Sequence, residues 1–73
     1  MSGQTPSNIQ LTPRELECLG WLARGLRQDA LAAKLTLSVA TVEMHIVNAR
    51  KKLGAQTATQ AVAIAVSQGL IVV

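Results

Sequence analysis

Apolar residues recur along this chain at helical intervals, in four segments parted by polar turns. The first opens at Leu11-Thr12-Pro13-Arg14-Glu15-Leu16. Thr12 is a strong N-cap, and Pro13 suits the first helical position, where its missing N–H costs nothing. Glu15 stands three residues after Thr12 and completes a capping box, while Leu11 and Leu16 take the two places of a hydrophobic staple. Glu15 (by its stem), Cys18, Leu19 and Leu22 then follow the helical period. Arg24 and Gly25 mark the stop. A second, short helix is expected from about Gln28 to Lys34, where Ala30, Leu31, Ala32 and Ala33 are strong formers.

The turn Leu35-Thr36-Leu37 follows, with Leu37 expected to be buried. Thr36 stands where a turn favours Gly, Asn or Asp, so some strain is expected there. The third helix starts from Ser38 as N-cap. Its inward stripe reads Val39, Val42, Ile46, Ala49 and Leu53, spaced 3, 4, 3 and 4. Gly54 ends it, after the cations Arg50-Lys51-Lys52, which favour a helix C-terminus.

A fourth helix begins near Thr57, which forms a second capping box with Gln60 and runs on to a stop at Gly69. No charged residue occurs from Leu53 to Val73. A helix apolar all round needs cover beyond its own core, and a second copy is the economical source. The assigned dimer residues are Val62, Ala65 and Val66. The terminal Leu70-Ile71-Val72-Val73 is expected to fold back onto the core. These elements predict an all-α, four-helix bundle with a central helix-turn-helix over 11–73, preceded by a disordered lead over 1–10.

Composition narrows the function. Seventy-three residues make one domain with a marginal core, and leave little room for a catalytic cleft or a sensor. A sensor domain or partner protein is possible outside this chain. Trp21 is the only aromatic, which argues against single-strand binding by base stacking. The net charge of +3 suits an anionic partner. One Cys and one His exclude an intrachain disulfide and a Cys- or His-cluster metal site. No phosphate-cradling Gly loop or nucleophile–base pair is present, so neither an enzyme nor a cofactor is expected. No apolar run reaches the roughly 20 residues of a membrane span. A reduced, cytoplasmic setting fits.

The outward side of the third helix carries the functional signal. Ala40, Glu43, Met44, Val47 and Asn48 are followed by Arg50 and Lys51. Short side chains early in such a helix can approach base edges, and cations farther on can meet phosphates. The ordered set Leu11-Thr12-Pro13-Arg14-Glu15, Gly25-Leu26, Ser38 to His45, Lys52-Leu53-Gly54 and Gly69-Leu70-Ile71 resembles the LuxR-type helix-turn-helix domain. The resemblance covers about Leu11 to Ile71. Glu17 to Trp21 and Asn48 to Leu53 look closest to its quorum-sensing branch.

That resemblance implies a transcriptional regulator binding double-stranded DNA sequence-specifically, its third helix in the major groove and its fourth forming a homodimer. The family's base-facing positions fall on Glu43, Met44 and Val47. Its backbone contacts fall around Thr41, Arg50, Lys51 and the second helix, with His45 and Asn48 assigned beside them and Lys52 counted in the phosphate-facing cluster. Arg14 is a weaker phosphate candidate. Many relatives carry a cation where this chain has Glu43, and Gln28 and Asp29 replace a common phosphate anchor. Glu43 is therefore read as a specificity residue that can accept from cytosine N4. His45 is expected to make a hydrogen bond rather than do chemistry. Cys18 is expected to act as a small core hydrophobe, and Trp21 as a core or dimer contact. Two alternatives remain: a sigma-factor promoter-reading domain, and an interaction module that blocks a related regulator by pairing.

Overall fold

The computed structural model describes residues 10–72. The expected lead over 1–10 lies outside them apart from Gln10, and so does Val73. Four helices follow in order: α1 (Pro13–Ala23), α2 (Gln28–Leu35), α3 (Val39–Leu53) and α4 (Ala58–Ser67). There is no strand among the described residues. The all-α expectation holds, with a central helix-turn-helix between α2 and α3. The chain bends by 106° between those two helices, across the three residues Thr36, Leu37 and Ser38. That angle is characteristic of the helix-turn-helix.

Local chemistry sets the starts. Thr12 Oγ1 accepts from the Glu15 N–H at 3.1 Å, and Glu15 Oε1 accepts from the Thr12 N–H at 2.9 Å, so the capping box closes. Ser38 Oγ caps α3 by accepting from the Thr41 N–H at 3.0 Å. Thr57 Oγ1 caps α4 by accepting from the Gln60 N–H at 3.0 Å. The second capping box is not reciprocal, however. The Gln60 side chain accepts from the Gln56 N–H at 2.7 Å, one residue earlier than expected.

All four helices stop in the same way. The N–H groups of Leu26, Leu37, Ala55 and Leu70 donate back to Trp21, Ala32, Arg50 and Ala65 carbonyls at 2.8–3.1 Å. This bond needs a left-handed residue just before the donor. Gly25, Gly54 and Gly69 supply it at three ends, and Thr36 supplies it at α2 with φ 58°.

The core has two parts, and both draw on α1 and α3. Leu19, Ala49, Leu53, Ala61, Ala65 and Ile71 form one, joining α1, α3, α4 and the tail. Leu11 and Leu16, the staple pair, pack against it. Cys18, Leu31, Ala32, Val42 and Ile46 form the other, joining α1, α2 and α3. Burial pushes the Cys18 thiol up, with Glu17 and Glu15 adding to the effect against Arg14. Ile71 is buried as expected, whereas Val72 is exposed. Leu37 is only half-buried, packed at the margin of the second cluster.

Three expectations about which side chains face the core, the surface or a phosphate need correction. Val39 is 49% exposed. The inward stripe therefore begins at Val42, because the first residue of α3 has no core beside it. Ala65 is 0% exposed and belongs to the domain's own core. It cannot also form a dimer surface. Lys52 does not join the outward cations. Its Nζ donates to Glu15 Oε1 at 2.9 Å, tying the end of α3 to the start of α1. No single helix among the described residues is long and apolar enough to cross a membrane.

Candidate nucleic-acid interface

The outward side of α3 begins as a spacing pattern. Because Val42, Ile46, Ala49 and Leu53 face the core, the helical period turns Glu43, Met44, Val47 and Lys51 away from it. Glu43 is exposed, Met44 is 52% exposed, and Val47 is half-buried. The three expected base-facing side chains thus lie together on an open side. Ala40 and Lys51 are exposed on the same side.

The expected backbone-contacting residues divide. Thr41, His45, Asn48 and Lys52 follow one row of the helix, while Arg50 lies on the other flank and Lys51 at the front. Thr41 Oγ1 accepts from Ser38 Oγ at 2.9 Å, and both groups sit at the helix start. Asn48 and Lys51 are exposed, while His45 and Arg50 are half-buried. Arg50 Nε is enclosed without a hydrogen-bond partner. Neither Arg50 nor Lys51 makes an ion pair among the described residues, where the pairs are Arg14–Glu17 and Lys52–Glu15. Arg14, the weaker phosphate candidate, is thus engaged with Glu17 at 3.1 Å.

The row that carries His45 and Lys52 faces Glu15, which is 3% exposed. Burial raises the Glu15 carboxyl. The Lys52 hydrogen bond, the Thr12 N–H, and the charges of Lys52 and His45 outweigh it, so the carboxyl ends below its usual range. An ionised Glu15 then fixes Lys52, and Lys52 fixes the end of α3.

At the start of α2 the cap position is Arg27, with no side-chain cap. Asp29 Oδ1 accepts from the Ala30 N–H at 2.9 Å. A carboxylate therefore sits where a helix start would otherwise favour a phosphate. Trp21 is neither fully core nor bare. Arg24 Cζ lies 5.1 Å and Lys34 Nζ 4.6 Å from its ring centre, both in cation–π range.

Sequence reasoning missed two features of this region. One is the Glu15–Lys52 tie, whose only signal is that Lys52 shares the row of His45 and not that of Lys51. The other is the openness of Val39, whose place at N1 is a cue that it lies beyond the packed part of the helix.

Comparison with known proteins agrees with this geometry. Residues 9–65 match the family described as bacterial regulatory proteins, luxR family. The quorum sensing-dependent transcriptional regulator VjbR of Brucella ovis is 43% identical over 61 residues, covering 84% of this chain and 24% of VjbR. The chain thus spans about a quarter of the length of such relatives. The structure of the transcription factor GerE superposes with a TM-score of 0.81 at 32% identity, covering 85% of this chain and 92% of GerE. VqmA of Vibrio cholerae, solved in complex with ligand and DNA, superposes with a TM-score of 0.79 at 32% identity, covering 94% of this chain and 30% of VqmA. A helix-turn-helix with an open α3, closed by the same four-helix frame as these transcription regulators, places the chain in the luxR family of bacterial regulatory proteins, as its DNA-binding domain.

Proposed function

We propose that this domain reads double-stranded DNA as a pair, with α3 of each copy in the major groove and the α4 helices in contact. The observation that carries this reading is the open side of α3, where Glu43 and Met44 face solvent and Arg50 and Lys51 have no carboxylate partner among the described residues. Glu43, Met44 and Val47 read base edges; Thr41, Asn48, Arg50 and Lys51 meet the backbone. His45, half-buried on the row of Thr41 and Asn48, meets the backbone beside them. The paired surface is Thr59, Val62, Ala63 and Val66, which recur on the outer side of α4. Half-sites about one helical turn apart follow from such a pair. The setting is the bacterial cytoplasm, the role is regulation and not catalysis, and control comes from a sensor or partner outside these residues.

Selection from a random duplex pool at low salt, followed by gel shift, tests this. The expected result is a recovered twofold-related sequence, bound in preference to scrambled duplex. No shift with any duplex would overturn the reading. It would favour the alternative of a module that pairs with a related regulator, for which the Asp29 carboxylate at the start of α2 is the specific support.

A further inference from the structure

The first half of α3 is an unusual surface to offer a polyanion. Between Ser38 and Arg50 no Lys or Arg occurs, and the one acid is Glu43. What the surface offers instead is apolar. Val39, Met44, Val66 and Val72 are the large exposed hydrophobics of the described residues, and the first two lie within six residues of each other on α3. Val39 is the first residue of the helix and stands one turn before Glu43, with Val47 one turn after it. Side chains at that spacing have Cβ atoms about 5–6 Å apart. Neither the core nor the caps require Val39. The cap bond comes from Ser38, and the buried stripe begins at Val42.

An open valine cannot hold a phosphate. In the major groove its complement is the thymine 5-methyl group, as the complement of the Glu43 carboxylate is the cytosine amino group. The first residues of a groove-bound helix are also those that approach base edges. We infer that Val39 is a further base-reading residue, packing on a thymine methyl about one or two base pairs from the pair read by Glu43. At about 3.4 Å per base step, the Val39–Glu43 separation spans that interval. The surface is thus suited to a half-site with thymine close to cytosine. This rests on the DNA-reading function proposed above and adds a named contact to it.

The test uses the duplexes recovered by selection. Each thymine is replaced singly by uracil, which deletes the methyl and nothing else. Affinities are measured for the unaltered protein, Val39→Ser, Val39→Ala and Met44→Ser, with folding checked by circular dichroism. One uracil should weaken the unaltered protein about three- to fivefold, the loss expected for one buried methyl. That loss should vanish in Val39→Ser and shrink in Val39→Ala, while persisting in Met44→Ser. If both Val39 variants keep every uracil effect, the inference fails while the DNA-reading function stands. If the unaltered protein binds all duplexes alike or none, both fail.

Discussion

Thr36 holds a backbone conformation that β-branched residues avoid, at φ 58° and ψ 46°. The three other helix ends place glycine at the equivalent point. The stop motif overrides the local preference of Thr36 because its bonds close the turn into α3: Thr36 and Leu37 N–H groups donate to Ala33 and Ala32 carbonyls at 3.2 and 2.9 Å. Left-handed backbone costs roughly 1–2 kcal/mol for an ordinary residue, part of which glycine returns as unfolded-state entropy. Thr36→Gly should therefore stabilise the domain by about 1 kcal/mol, read as a Tm rise of about 4–8 °C in a domain this small. An unchanged or lower Tm would mean that the turn carries no strain. The sequence made this residue legible because one position in a short turn has few conformations to choose from.

At the scale of elements, the joint between α1 and α3 is the Glu15–Lys52 pair. The folded carboxyl lies below its usual range, while the unfolded one lies within it. The pair's contribution is therefore complete above the ordinary carboxylate range and is lost as pH falls through the depressed folded value. Glu15→Gln should flatten the acid limb of a stability–pH curve, measured by denaturant unfolding between neutral and strongly acid pH. An acid limb as steep as the unaltered protein's would refute the assignment. Lys52→Met leaves a buried carboxylate with less support and should cost about 1–2 kcal/mol, short of a fully buried pair because Lys52 reaches solvent.

Helix starts and stops were readable because they depend on residues three to five apart. The Glu15–Lys52 tie was not, since 37 residues separate its partners, and the row that Lys52 shares with His45 gives its direction without naming what it meets. The open Val39 was missed for a related reason: periodicity gives the direction of a side chain but not whether a neighbour lies there. In the candidate interface the same limit applies. The front residues Glu43, Met44 and Val47 and the division of Arg50 from the His45 row both follow from the period, while the meeting of that row with Glu15 needed the packed helices.

For the whole molecule, the proposed pairing rests on α4. Its apolar character was evident from composition, but only packing separates the buried Ala61 and Ala65 from the exposed Ala63 and Val66, with half-buried Val62 at the edge of the core. Val66 is 36% exposed, so Val66→Glu should weaken self-association with little effect on monomer stability. Ala65→Leu should instead overpack the core and lower stability by about 1–3 kcal/mol. Sedimentation equilibrium with parallel denaturant unfolding checks both. Equal losses of association and stability in the two variants would contradict the division of α4 into inner and outer sides.

The central claim is that α3 offers a base-reading front and a phosphate-binding end. It is tested most directly by the salt dependence of binding to the selected duplex. Each lost phosphate contact lowers the slope of log K against log salt by about 0.9. The account predicts that Lys51→Ala reduces the slope by about that amount and weakens all sequences alike, whereas Glu43→Ala keeps the slope and changes the preferred base. The same slope in Lys51→Ala as in the unaltered protein, or a uniform loss in both variants, would contradict it.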